Sequence, residues 1–148
     1  MQVLLLSPPE LPNSEDLDAV VQVMLQLRPS YSAVALKAQI ERQLQMGYHL
    51  AYVKENSDVL AVAGYVLGEK LAWGKYIYID DLVTSEKQRS RGAGKCLLDW
   101  FKAYATEHGI QQIHLDSGVQ RFAAHKFYLR EGFAIASHHF SLHVDSSS

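Results

Sequence analysis

Apolar residues early in the chain recur at helical spacing. Leu17, Val20, Val21, Met24 and Leu27 share one helical face, and Pro29 closes the segment. Asn13, Ser14, Glu15 and Asp16 precede it as capping residues and an acidic first turn, which the positive end of a helix dipole favours. A second helix is expected from about Ser32 to just before Gly47, with Leu36, Ile40 and Leu44 on one face. Ahead of both, the apolar run Val3 to Leu6 reads as a first strand, ended by Pro8-Pro9.

From Tyr48 the period becomes that of strands. Tyr48 to Val53 and Val59 to Leu67 flank the turn-forming Glu55-Asn-Ser-Asp58 and make a hairpin. Tyr76 to Val83 is a third strand, rich in β-formers yet carrying Asp80 and Asp81 near its end. Leu97, Leu98, Phe101 and Ala105 return to helical spacing and stop at His108-Gly109. A short strand, Ile113 to Asp116, and a helix from Phe122 to Glu131 follow, the helix stopped by Gly132. Phe133 to Val144 alternates enough for final strands, and Ser146 to Ser148 are expected to fray. The order is β-α-α-β-β-β-α-β-α-β. Three consecutive strands before α-β-α-β predict a mixed α/β (α+β) sheet with helices on its faces, not a doubly wound sheet.

Bulk properties narrow the class. A chain of 148 residues predicts one domain over 1–148. It is 48% hydrophobic and 20% charged with a net charge of −2, the balance of a soluble globular protein. No basic excess points to nucleic acid, and no apolar run is long enough for a signal peptide or a membrane span. The single cysteine, Cys96, excludes an internal disulfide and fits a reducing, cytoplasmic setting.

The stretch Gln88-Arg-Ser-Arg-Gly-Ala-Gly-Lys-Cys96 invites a nucleotide reading. A Walker A loop, G-x-x-x-x-G-K-[ST], fails twice, with Arg89 at the first glycine and Cys96 where the magnesium hydroxyl belongs. The dinucleotide pattern G-x-G-x-x-G fails at Leu97, and it follows the wrong strand. What remains is a glycine-bearing strand-to-helix junction flanked by Arg89, Arg91 and Lys95. Such a junction is either a tight turn with exposed basic residues or a cradle for a diphosphate.

The spacing Arg89-x-x-Gly92-x-Gly94 resembles the [QR]-x-x-G-x-[GA] motif of the GNAT superfamily of N-acetyltransferases. The preceding Ile79-Asp-Asp-Leu-Val83 and the later Ala124-His-Lys-Phe-Tyr-Leu-Arg-Glu-Gly-Phe133, similar to the family's A-x-x-F-Y-x-x-x-G-F block, stand in the family's order. The resemblance spans Val59 to Phe133. It implies a central, mostly antiparallel sheet flanked by about four helices. It also implies acetyl-coenzyme A as co-substrate, no metal, and direct transfer to a primary amine on a small molecule or peptide. Residues Arg89, Ser90, Arg91, Gly92, Ala93, Gly94 and Lys95 would cradle the pyrophosphate, and the backbone of Leu82 and Val83 would pair with the pantetheine arm.

Acetyl transfer needs an amine freed of its proton, donors for an oxyanion, and a proton for the departing thiolate. Tyr128 matches the family's general acid; a phenol titrating at about 10 is protonated at neutral pH and can supply a thiolate. An acidic residue on the strand before the loop relays the amine proton in the family, and Asp80 and Asp81 are the candidates. Adjacent strand residues point to opposite sides, so at most one of the two is expected to face the acceptor, and both could simply end the strand. A carboxylate near pKa 4 suits holding a water or orienting the cation better than abstracting the proton.

Some features depart from the family or stand apart. Where the family often has asparagine, seven residues before the tyrosine, this chain has Arg121. It either approaches the phosphate end of the cofactor or is solvated, and Ser117 is a minor candidate. Cys96 reads as a buried structural thiol. His139 and His143 lie about 13 Å apart on a strand, too far to share one ion. Tyr31, Trp73 and Tyr76 line an acceptor pocket or simply pack. Homodimerisation is compatible with the C-terminal strands. The competing functional class is an acyl-coenzyme A-binding sensor or interaction module with little transferase activity.

Overall fold

The computed structural model describes residues 1–6, 15–89 and 91–144. The capping residues Asn13 and Ser14, the loop residue Ser90 and the tail Ser146–Ser148 lie outside the described residues. The elements run β1 (Gln2–Leu6), α1 (Glu15–Leu27), α2 (Ala33–Leu44), β2 (Tyr48–Glu55), β3 (Asp58–Lys70), β4 (Gly74–Thr84), α3 (Ala93–Glu107), β5 (Gln112–Leu115) and α4 (Phe122–Arg130). They fall into two compact units, Met1–Leu115 and Asp116–Ser148.

The first unit is a sheet in the order β1-β2-β3-β4-β5. Neighbours from β1 to β4 are antiparallel, and β4 and β5 are parallel. The β2-β3 hairpin closes on Asn56 and Ser57, with Glu55 opposite Asp58 and Asn56 at φ 58°. Asparagine tolerates this left-handed backbone better than most side chains.

Helical periodicity explains what covers the sheet. Leu17, Val20, Val21 and Met24 of α1, with Leu36, Ile40 and Leu44 of α2, bury against Leu6, Tyr48, Leu50, Tyr52 and Val62. On the other parity of β2, His49 stacks on Tyr65, and Tyr65 meets Phe101 of α3 edge-to-face at 4.9 Å. β2 and β3 are thus covered on both sides, which is why Leu50–Val53 and Val59–Tyr65 are continuous buried runs and not alternations. Phe101 is fully buried, and truncating it to alanine should cost about 3–5 kcal/mol.

The α2 start follows the sequence: Ser32 caps it, its Oγ accepting the Ala35 N–H at 3.1 Å. Two expectations are corrected. Residues 133–144 form no strand, and Ile135, Phe140, Leu142 and Val144 are exposed. Alternation makes a strand only where a neighbouring edge supplies ladder partners, and no described ladder includes this segment. Cys96 is half-buried, not buried, because Leu97, Leu98 and Phe101 form the core face of α3 and Cys96 lies on its flank.

Candidate active site

The loop between β4 and α3 is anchored at its start. Ser85 is buried, its N–H donating to the Leu60 carbonyl at 2.8 Å. One 3-10 turn, Glu86–Gln88, follows, and the Gln26 side chain of α1 accepts the Glu86 N–H at 3.0 Å. Gly92 then takes the left-handed backbone, φ 79° and ψ 16°, immediately before α3. The first N–H groups of a helix have no intrahelical partner. Here the N-cap residue has no side chain to satisfy them, and a Cβ placed on Gly92 would meet nothing within 4 Å. An unobstructed helix start beside three cationic side chains fits a diphosphate.

Each of those cations has a place. Arg91 is ion-paired with Glu55 at the end of β2 and bonds the Gln88 side chain at 2.8 Å. Arg89 is exposed, 3.9 Å from Glu86, and Lys95 is 3.3 Å from Asp99 one helical turn on. Exposed pairs of this kind contribute about 0–1 kcal/mol, so an anionic ligand can recruit these side chains at little cost. Gly94 and Ala93 lie in the first turn of α3, Ala93 buried against the core.

The second half of β4 has an irregularity that strand alternation does not foresee. The ladder with β5 ends at the Ile79↔Leu115 pair, so Asp80 to Thr84 have no partner from β5. On the β3 side, Gly64 pairs with Asp81 and Tyr65 with Ile79, leaving Asp80 as an extra, bulged residue. Leu82 and Val83 continue the ladder opposite Ala63 and Val62. The pleat that would send Asp80 and Asp81 to opposite sides is broken here.

The two aspartates differ in surroundings. Asp81 accepts from Arg28 through Nε at 3.0 Å and Nη2 at 2.7 Å, and from the Tyr48 hydroxyl at 2.6 Å. The same Nη2 donates to the Asp80 carbonyl at 3.2 Å. Asp80 itself is exposed. Burial, reinforced by the Asp81 and Asp80 charges, holds the Tyr48 phenol far above its ordinary range, so it donates and does not ionise. Arg28 follows the last residue of α1, and the Pro29-Ser30 turn after it is closed by the Tyr31 N–H on the Arg28 carbonyl at 3.3 Å.

The second unit carries Tyr128 on α4. Its helix ends in a Schellman turn. The Gly132 N–H reaches the Leu129 carbonyl at 3.2 Å, the Phe133 N–H reaches the Tyr128 carbonyl at 3.0 Å, and Gly132 has φ 100°. The Phe133 ring meets Tyr128 edge-to-face at 5.9 Å. The Gly-Phe pair of the sequence block therefore fixes the tyrosine's backbone and one side of its ring. Burial raises the Tyr128 phenol above its ordinary range, opposed by the charge of Arg121.

Nearby, the His125 ring bonds the Gly118 carbonyl at 2.8 Å, and His139 lies 3.2 Å from Asp116. The Ser117 hydroxyl is buried without a hydrogen-bond partner among the described residues. Sequence reading did not single out Arg28, Tyr48 or Glu55. No local motif marks them, although a lone arginine at a helix end followed by proline is a visible irregularity.

Comparison with known proteins bears on the whole arrangement. The model of the acetyltransferase (GNAT) family matches residues 19–133. An uncharacterized N-acetyltransferase of Bacillus subtilis (strain 168), YhdJ, is 32% identical over 133 residues, covering 88% of this chain and 94% of that protein. An aminoalkylphosphonate N-acetyltransferase of Salmonella typhimurium (strain LT2) is 29% identical over 91 residues, 61% of this chain and 59% of that one. Among solved structures, the aminoglycoside N-acetyltransferase AAC(6')-Iy in complex with CoA superposes with a TM-score of 0.78 at 14% identity. That match covers 97% of this chain and 93% of that one.

Proposed function

The chain belongs to the GNAT family of acetyltransferases, and from that premise we propose that it moves an acetyl group from acetyl-coenzyme A directly to a primary amine in a ternary complex. Residues 1–148 act as a single transferase domain in this reading. The observation that carries it is the uncapped start of α3 at Gly92, with Arg89, Arg91 and Lys95 beside it. Ser90, Ala93 and Gly94 complete the cradle.

When bound, acetyl-coenzyme A supplies an acetyl thioester whose C–S bond breaks as the acceptor's C–N bond forms. The stretch of β4 without a β5 partner, including Leu82 and Val83, offers backbone groups to the pantetheine arm. One N–H there would serve as the donor to the thioester oxygen. The carboxylates Asp80 and Asp81 mark the acceptor end, where a held water receives the proton that the ammonium gives up. Tyr128 holds its phenolic proton through neutral pH and delivers it from Oη to the leaving sulfur.

The acceptor is a small-molecule amine. Relatives that act on aminoalkylphosphonates and aminoglycosides support this class. Calorimetry with coenzyme A and acetyl-coenzyme A tests the cofactor; no heat of binding at millimolar ligand sinks the proposal. A thiol-release screen over a polyamine, a lysine derivative, an amino sugar and an aminoalkylphosphonate then tests the acceptor.

A further inference from the structure

The connection between β3 and β4 carries an ammonium held by aromatic rings. Lys70 Nζ stands 4.0 Å from the centre of the Trp73 ring and 5.3 Å from that of Tyr76. Lys37, Lys54 and Lys95 each pair with an aspartate, but no carboxylate among the described residues pairs with Lys70. The electron-rich faces of the two rings keep this charge in place.

Trp73 is fixed from behind. The His114 ring of β5 stacks on it at 3.4 Å, with the planes 12° apart. An imidazole that close leaves no room for an ammonium on the same face, so Lys70 covers the opposite one. Tyr76 meets Trp73 edge-to-face at 5.3 Å. Its own ring lies across the β3 backbone at Gly68, where a Cβ would stand 2.5 Å from the phenol oxygen and 2.6 Å from Cζ. The rings are built into the sheet, whereas Lys70 is exposed and ends β3 on a flexible stem.

This aromatic corner shares one side of the sheet with the Tyr48–Asp81 contact. Gly64 under Tyr48 and Gly68 under Tyr76 have the same parity on β3, with Val66, opposite Tyr78, between them. Four strand residues place the two glycines about 13 Å apart. Val66 and Tyr78 are half-buried, so the floor between the two ends is partly open to solvent.

We propose that the outer face of Trp73, with Tyr76, is a second subsite for the acceptor, and that Lys70 occupies it until the acceptor arrives. The subsite takes an ammonium about 13 Å from the amine that is acetylated. The acceptor it selects is a long linear polyamine. This rests on the acetyltransferase reading above, which puts the reacting amine at the Asp81 end of β4. A second amine as basic as a lysine, titrating at about 10.4, stays charged at neutral pH. Its arrival displaces only an exposed side chain, whereas a monoamine or a short diamine ends before it reaches the rings.

The test is a length series on thiol release from acetyl-coenzyme A. Propylamine, 1,3-diaminopropane, spermidine and spermine are compared in wild type, Lys70→Ala and Trp73→Leu. Wild type should have its lowest KM for spermine. Lys70→Ala clears the ring face and removes a like charge, so the spermine KM should fall about three- to fivefold. Trp73→Leu should raise it by about the same factor. Both should leave the 1,3-diaminopropane KM and the coenzyme A affinity unchanged. Calorimetric titration of spermine into the coenzyme A-loaded protein repeats the comparison without turnover.

A spermine KM that is unmoved or raised in Lys70→Ala overturns the subsite, and so does wild type using spermine no better than 1,3-diaminopropane. Lys70 is exposed, so this variant decides the matter even where Trp73→Leu folds poorly. A tryptophan serving stability alone would lower the melting temperature in Trp73→Leu and leave the length preference in place. Failure of the acetyltransferase reading looks different, because wild type itself then shows no coenzyme A binding by calorimetry.

Discussion

The phenol of Tyr48 lies directly over Gly64: a Cβ at position 64 would stand 1.6 Å from the Tyr48 oxygen and 2.2 Å from Cζ. The two residues are on neighbouring strands, and the contact lets a buried ring cross the β3 backbone to reach Asp81 on β4. Gly64→Ala should therefore displace a ring that has nowhere to go, at a cost of about 1–3 kcal/mol. Tyr48→Phe alone removes a hydrogen bond to a charged group, about 1.5–3 kcal/mol. Denaturant melts of both variants and of the double variant check this. The double variant should be less destabilised than the sum, since Gly64→Ala has already broken the bond that Tyr48→Phe deletes. Strict additivity would contradict the contact.

Gly92 is under a different constraint. Space around it is open, so a side chain there meets no neighbour, but φ 79° penalises any L residue. Gly92→Ala should lose about 1–2 kcal/mol of stability from backbone strain. Coenzyme A affinity, read by calorimetry, should fall at least about tenfold as the loop leaves the left-handed conformation. Unchanged affinity would remove the loop from the cofactor site.

Replacing Tyr128 by phenylalanine separates binding from proton delivery. Turnover should drop by about 100-fold with coenzyme A affinity intact. The pH dependence has a definite sign. A phenol raised by burial is protonated more firmly in the folded protein, so its contribution to stability is complete below the unfolded value of about 10. That contribution is lost as pH climbs through the folded value. An alkaline fall in wild-type kcat beginning above about pH 10 should accordingly be missing in Tyr128→Phe.

Asp16 governs the acid side. Its hydrogen bond from Lys54, then that from Tyr52, hold its carboxyl below the ordinary carboxylate range. The Lys54 contact is 2.8 Å and the Tyr52 contact 2.5 Å. A lowered value means stabilisation present above the unfolded value of about 3.9 and lost as pH falls through the folded one. Melting temperature plotted against pH should fall less steeply below about pH 4 in Asp16→Asn than in wild type. Parallel curves would show that the pair adds nothing to folding.

Much of the fold is legible residue by residue. The α1 and α2 faces, the turn at Asn56-Ser57 and the stop at Gly132 are local, since periodicity and turn chemistry act over a few residues. The Gly92-x-Gly94 spacing is local too, and the sequence places it at a helix start, where the structure has it. The final strands expected over 133–144 show the limit. Their alternation is real, yet a strand also needs a partner edge, which no pattern within the segment supplies.

By itself, the sequence determined the elements from the first strand to the helix that carries Tyr128, the glycine-bearing helix start, and the Phe-Tyr block whose Gly132 and Phe133 lock Tyr128. Only the tertiary structure decided that Asp80 is a bulged residue and Asp81 a saturated one. Arg28 and Asp81 are 53 residues apart and Tyr48 and Asp81 are 33 apart, joined by sheet register and helix packing. A charge's role depends on what reaches it, and long-range packing alone sets that.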